Sequence, residues 1–241
     1  MNNSVMYEEL LPHEFAERLK EHPIGYLPLG TLEWHGPHNA LGADLIQAKG
    51  LFQIAARECG GIVFPPLFIG PDSITGDGTA YPLMGMDKAK ETQPNRQLSG
   101  SCYYVSKGLF ILVVESILKM AKRAGFRCIV ADGHGPSRKV WSEMADTWEK
   151  QFDLLLVSPL RDFEAGTWLT QADHAGKNET SLMLALRPDL VDLDRLPQEK
   201  TEWPLGVRGE DPRDSSPGFG QELLAKTLES LETRLGALGL L

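Results

Sequence analysis

Cysteine is scarce in this chain, with three among 241 residues. Cys59, Cys102 and Cys128 are odd in number and far apart, which excludes a disulfide framework and any Cys-x-x-Cys metal motif. They read as core thiols of a protein kept in a reducing compartment. Long apolar runs are missing too. The longest, Leu109 to Val114, falls far short of the roughly 20 residues that span a bilayer, and reads as core. The first residues, with Glu8 and Glu9 beside Leu10 and Leu11, lack the basic and apolar regions of a signal peptide, so the expected location is cytoplasmic. Positive charge is the minority sign: 24 basic against 33 acidic residues give a net charge of −9, which repels phosphate backbones and anionic membranes. Neither nucleic acid nor a membrane is expected as a partner.

What is present suits one α/β domain over residues 1–241, since this length and a 42% hydrophobic content allow a sizeable core. Helical periodicity runs through Glu14 to Lys20, Leu45 to Cys59, Leu109 to Ala124, Lys139 to Phe152, Thr180 to Leu186 and Gln221 to Leu235. Strand-like runs, Ile24 to Leu29, Ile62 to Phe64, Cys128 to Ala131 and Leu154 to Val157, fall between them. This alternation predicts a three-layer α/β/α fold with a largely parallel sheet. The stretch Gly70 to Gly100, rich in Gly and Pro, is too long for a simple connector and reads as a lid or a subunit contact. Trp203 to Gly220 could wall a site in the same way.

The chemistry-bearing residues gather at three Gly-containing junctions. In Gly30-Thr31-Leu32-Glu33-Trp34-His35-Gly36-Pro37-His38, Glu33 and His35 lie two apart just past a strand end and aim to the same side. With Asp44 shortly after, a carboxylate, an imidazole and a second carboxylate suit a divalent cation of intermediate softness. Asp44 also reads as an N-cap for the following helix. In Asp132-Gly133-His134-Gly135 a strand runs into a His flanked by glycines, where close approach is possible. Asp173-His174-Ala175-Gly176-Lys177-Asn178-Glu179-Thr180-Ser181 again sets His and acidic residues beside Gly, ahead of a helix; a local turn pair of Asp173 with His174 is the alternative. Trp168, shortly before, reads as core ahead of a substrate-gating residue. Four of the six histidines fall in these junctions.

These blocks together resemble the creatininase family, whose members carry Gly-x-x-Glu-x-His-Gly-Pro-His, an Asp nine residues after the first His, Gly-His-Gly, and His-Ala-Gly-x-x-Glu-Thr-Ser, in that order. The resemblance covers roughly residues 24 to 191, and four short motifs coinciding in order make it specific. It implies a creatininase-like fold and a metal-dependent hydrolase of non-peptide C–N bonds with two divalent ions per subunit, zinc, manganese or iron. Glu33, His35, Asp44 and His134 match metal ligands, Asp44 in the bridging position, and His174 matches a residue assigned to proton transfer, for which an imidazole pKa of about 6.5 is suited. Creatininase itself has a Glu two residues after the His of its Gly-His block, where this chain has Pro136. Other branches draw that carboxylate from the Glu-Thr-Ser block, which points to Glu179. They read Gly-Gly-Asn where this chain has Gly135-Pro136-Ser137, so substrate contacts near Ser137 differ and creatinine is not the expected substrate. His38 is expected to support a ligand from behind, ahead of binding metal or substrate.

The leading expectation is a dinuclear amidohydrolase acting on a cyclic amide or formamide of a small molecule. The breadth of the resembling family adds a hydrolase opening a keto-inositol ring or a peptidase trimming a cofactor precursor. A binding module without chemistry is the third reading, and the presence of every expected ligand type argues against it. Family members form hexamers, which implies a homo-oligomer.

Overall fold

The computed structural model describes residues 4–76 and 82–241. Its strands are β1 (Ile24–Leu29), β2 (Ile62–Val63), β3 (Ile74–Thr75), β4 (Leu83–Met84), β5 (Cys128–Gly133) and β6 (Leu155–Val157). The α-helices are α1 (Pro12–Glu21), α2 (Ala43–Glu58), α3 (Lys107–Ala124), α4 (Gly135–Phe152), α5 (Pro159–Asp162), α6 (Lys177–Leu186) and α7 (Pro217–Ala237). The main sheet has four parallel strands in the order β2-β1-β5-β6, and β3 pairs antiparallel with β4 inside the long Gly/Pro stretch.

Alternation along the strands builds the three layers. Ile24 and Tyr26 of β1, with Cys128 and Val130 of β5, face a core closed by α2, α6 and the leucines of α7. Leu27 and Leu29, with Ile129 and Ala131, face the opposite core under α3 and α4, where Trp141 and Trp148 are wholly buried. Both faces of the sheet are therefore covered, as parallel sheets require. This is the α/β/α arrangement expected from the sequence. No helix among the described residues is long and apolar enough to cross a membrane.

Several helices begin earlier than their apolar periodicity suggests. Helix α4 opens at Gly135, with Pro136 in its first turn, and α7 opens at Pro217 behind Ser216, whose hydroxyl accepts from Phe219 N. Proline's fixed φ suits the first helical turn, where its missing N–H costs nothing. Helix α2 starts at Ala43 with Gly42 as its N-cap. Asp44 is thus inside the helix, and the N-cap reading of that residue is corrected.

Two further expectations change. Within the apolar run, Phe110 and Val114 are buried, but Leu109 and Leu112 are 48% and 62% exposed, because only one face of α3 meets the sheet. Cys59 and Cys128 are core thiols, whereas Cys102 is exposed, its backbone pairing with Leu32 at the surface. The long stretch lies partly outside the described residues, including Gly78; its described part folds back toward the carboxyl ends of the strands.

Candidate metal centre

Strands β1 and β5 end side by side, with Leu29 paired to Gly133, so the segments that leave them start from one place. Gly133 has φ +137°, and a Cβ there would lie 1.7 Å from the Leu29 carbonyl oxygen, so only glycine lets the chain turn off the sheet at this point. The turn sends His134 toward Glu33 and His35. Asp44 reaches the same point from the first turn of α2, and Glu179 from the first turn of α6. That last helix is held in place by Asp173, whose carboxylate accepts from the backbone N–H groups of Asn178 at 2.8 Å and Glu179 at 3.1 Å. Asp173 therefore caps a helix and is not simply the turn partner of His174.

The donor atoms form three interlocking groups, each within 4.8 Å: Glu33, Asp44 and His134; His35, Asp44 and Glu179; and Glu33, His35 and His174. All are buried. His35 Nε2 lies 3.1 Å from Asp44 Oδ1 and 3.8 Å from Glu179 Oε2, and His134 Nε2 lies 3.7 Å from Glu33 Oε2. Asp44 is the carboxylate common to the first two groups. It has the position a bridging ligand would need.

Hydrogen bonds to the opposite ring nitrogens fix which nitrogen faces the cluster. His35 Nδ1 donates to the Glu33 carbonyl at 3.0 Å, turning Nε2 inward. His134 Nδ1 meets Ser137 Oγ at 3.0 Å. Ser137 is fully buried outside the cavity lining, and its hydroxyl is turned to His134. His174 Nε2 donates to the Trp34 carbonyl at 2.8 Å, leaving Nδ1 as its basic nitrogen. Its backbone is clamped both ways to Arg208, 2.9 Å each way, from the second Gly/Pro-rich segment.

Electrostatics mark the cluster as short of positive charge. Burial raises the Glu33 carboxyl and pushes Glu179 well above the usual range, Asp44 adding to both shifts. Burial alone would lower His35, but Asp44 and Glu179 overcome it and raise the imidazole to about 10. His134 is raised likewise, with burial opposing Asp72 and Glu33. The carboxylates around these rings thus favour positive charge at the cluster. His134 Nε2 is buried and has no hydrogen-bond partner among the described residues. Mixed imidazole and carboxylate donors of this kind fit divalent transition metals.

His174 differs from expectation. Burial, then the neighbouring His35 with ring centroids 4.4 Å away, pushes it down to about 3, so it is neutral at pH 7 and not poised near its ordinary value.

The cluster opens into a cavity of about 280 Å³, lined on one side by Asp72, Ser73, Gly85, Met86 and Ala89. The long stretch therefore contributes a wall of the cavity. A larger apolar groove of about 790 Å³ beside α3 contains none of the histidines. His38 and Trp168 lie outside the cavity lining. His38 Nε2 bonds Thr180 Oγ1 at 2.9 Å, tying the first motif to α6. Trp168 packs on Phe163 in the core, and its Nε1 donates to Asp132 Oδ2 at 3.0 Å. Sequence reasoning missed Asp72, whose Oδ2 is 3.8 Å from His134 Nε2. An isolated Asp in a Gly/Pro stretch carries no spacing that would reveal it.

The family model for creatininase, described as creatinine amidohydrolase, matches residues 8–235. The chain belongs to the creatininase family. Members of that family are metal-dependent hydrolases, and the family match puts this chain among them. A creatinine amidohydrolase of Pseudomonas putida is 28% identical over 220 residues, covering 81% of this chain and 77% of that protein. The crystal structure of a creatinine amidohydrolase superposes with a TM-score of 0.74 at 23% identity, covering 98% of each chain. A structure described as creatininase with Mn gives the same TM-score at 22% identity, covering 97% of this chain and 98% of its own.

Proposed function

We propose that this creatininase-family protein uses two divalent ions per subunit to hydrolyse a non-peptide C–N bond, of cyclic amide or formamide type, in a small molecule. The observation that carries the reading is the pair of donor groups sharing Asp44, Glu33 and His134 on one side and His35 and Glu179 on the other. Related structures described as a Zn–Zn type and with Mn support zinc or manganese, and one complexed with creatine supports a small-molecule substrate. A cavity of about 280 Å³ also suits a small ligand better than a peptide.

Bound there, the ions would supply Lewis acidity and a lowered water pKa. The chain's own part is orientation and proton handling. The Glu33 carbonyl and Ser137 hold the two imidazoles in register, while Gln171 Nε2 donates to the Asp44 carbonyl at 3.3 Å. His174, with Nε2 committed to the Trp34 carbonyl, has Nδ1 free to relay a proton from the attacking water to the leaving nitrogen. Water thus divides across the bond: hydroxide to carbon, proton to nitrogen.

Pro136, in place of the Glu that the creatininase motif carries, makes creatinine the wrong substrate in this reading. The same reading has one domain and a cytoplasmic homo-oligomer of hexameric kind. The test is a screen of metal-free protein reloaded with Zn, Mn or Fe against cyclic amides, formamides, creatinine and a short peptide. Metal-dependent ring opening of a cyclic amide to its amino acid, or release of formate and an amine from a formamide, is expected. Turnover of none of them by loaded protein would defeat the reading.

A further inference from the structure

The cavity over the donor cluster is acidic, with Glu33, Asp44, Asp72, Asp173 and Glu179 in its lining, and Arg208 is the one Lys or Arg among the described residues that line it. Its guanidinium has no hydrogen bond or ion pair among the described residues. The acids nearest it in the fold are engaged elsewhere: Asp173 accepts from the backbone of α6, and Glu210 holds Lys177 Nζ at 3.2 Å. A cation is thus held ready at the cavity without a partner of its own.

We propose that Arg208 determines substrate specificity, by gripping a carboxylate that the small amide or formamide carries beside its scissile bond. This rests on the hydrolase reading and narrows its substrate to an acid. Position is the first argument. His174 and Arg208 exchange both backbone hydrogen bonds, 2.9 Å each way, as a directly opposed antiparallel pair. Side chains of such a pair leave the backbone on the same side, with Cβ atoms about 5 Å apart. The guanidinium therefore sets out from beside the imidazole that relays the proton. Burial and His35 lower that ring first, and the Arg208 charge adds to the effect, which puts the guanidinium within electrostatic reach of it.

The mount is rigid. Trp34 Nε1 donates to the Leu205 carbonyl at 3.0 Å, Trp203 Nε1 to the Val207 carbonyl at 2.7 Å, and Gly206 N to the Glu91 carbonyl at 3.1 Å. Gly209 has φ +122°, and a Cβ there would lie 2.4 Å from Asp173 Cβ, so glycine lets the segment lie against the residue that anchors α6. An anion bound by an arginine on so fixed a backbone has less chain to order. Charge then selects the anion. One planar fork matches one carboxylate through two parallel hydrogen bonds, whereas a phosphate dianion would bring twice the charge into a lining of five carboxylates with a single guanidinium to meet it. A cavity of about 280 Å³ suits an N-formyl amino acid or a lactam carboxylic acid.

The test uses the full chain loaded with Zn or Mn and two matched pairs, N-formylglycine with N-formylglycinamide and 5-oxoproline with its carboxamide. Formate release and ring opening are followed, and each acid shares its scissile bond with its amide. Wild type should favour the acid by roughly 10–100-fold in kcat/KM, the worth of hydrogen bonding to a charged group, chiefly through KM. Arg208→Gln should erase the preference. Arg208→Lys, which keeps the charge and loses the fork, should keep part of it and decides the matter if Arg208→Gln does not fold by circular dichroism. Equal handling of acid and amide by wild type, or a preference that survives in Arg208→Gln, would overturn the assignment while sparing the hydrolase reading. If neither pair is turned over, titration calorimetry reads the same acid-over-amide ratio as Kd values. Binding that depends on Arg208 would then keep the carboxylate site and defeat the hydrolase reading, and no binding of either acid would sink both.

Discussion

Breaking the ion pair between Asp132 and Arg138, behind the metal cluster, should cost more stability than most single changes in this molecule. Asp132, 0% exposed, sits on β5 two residues before His134. Its Oδ1 lies 3.1 Å from Arg138 Nε, out of line for a hydrogen bond. Its Oδ2 accepts from Trp168 Nε1 at 3.0 Å and Thr170 Oγ1 at 2.6 Å. The guanidinium has only long contacts besides, to the Thr170 carbonyl at 3.4 Å and Gln171 Oε1 at 3.5 Å. Removing one member of a buried pair costs about 3–5 kcal/mol, because the other charge is stranded. Arg138→Met leaves Asp132 two good hydrogen bonds and should fall near the lower end. Asp132→Asn strands a poorly satisfied guanidinium and should fall near the upper end. At about 2–4 °C per kcal/mol for a chain of this length, Tm drops by roughly 6–20 °C. The double variant should cost less than the sum of the singles, since neither charge is then left alone. Urea unfolding in EDTA at pH 7 measures all four corners of the cycle. An Arg138→Met variant within about 1 kcal/mol of wild type, or an additive cycle, would refute the reasoning.

Asp44→Asn cannot act through helix capping, since Gly42 caps α2. It should abolish the rise in Tm on metal addition, which at a thousandfold excess over Kd corresponds to about 4 kcal/mol; a variant that keeps two tightly held ions and full turnover contradicts this. His174→Ala should retain its metals and lower kcat by roughly 10²–10⁴, the range for a lost acid or base. Steady-state kinetics on the substrate found by screening tests it, and an unchanged kcat removes the residue from the mechanism. His38 is held at about 4 by burial and by the nearby His35 charge, below its unfolded value of about 6.5. The unfolded chain therefore takes up the proton first, and wild type loses stability as pH falls from about 6.5 to 4, by up to roughly 3 kcal/mol. His38→Gln, which keeps the donor to Thr180, should flatten that part of the urea-midpoint profile. Parallel profiles for the two proteins would exclude the buried imidazole as the cause.

The layers of the fold were legible because each strand sorts its side chains by parity: Ile24 and Tyr26 to one core, Leu27 and Leu29 to the other. Helix starts were less so. Gly135 and Pro136 look like a loop when read singly, yet they form the first turn of α4, because a Pro within the first turn needs no amide partner. Asp44 was ambiguous for a local reason, a carboxylate at a helix start serving equally as cap or ligand, and only the position of Gly42 separates the two. The proximity of Glu33, His35, Asp44, His134 and Glu179 followed from motifs at strand and helix ends. That of Asp72 did not, because it depends on how a long irregular segment folds back over β5. The low value of His174 was equally hidden, since it comes from enclosure beside His35 and not from any neighbour in sequence.

The cluster is assembled from pieces spread between Glu33 and Glu179, and that spread sets a timetable. On a ribosome moving at about 5–20 residues per second, Asp44 is made roughly 7–27 s before Glu179. During that interval the early donors face solvent as an open, incomplete set. Cation choice consequently belongs to the finished chain, made from whatever ions its surroundings offer once α6 has docked. A nascent chain stalled before α6 should carry no tightly held metal, whatever the growth medium contains.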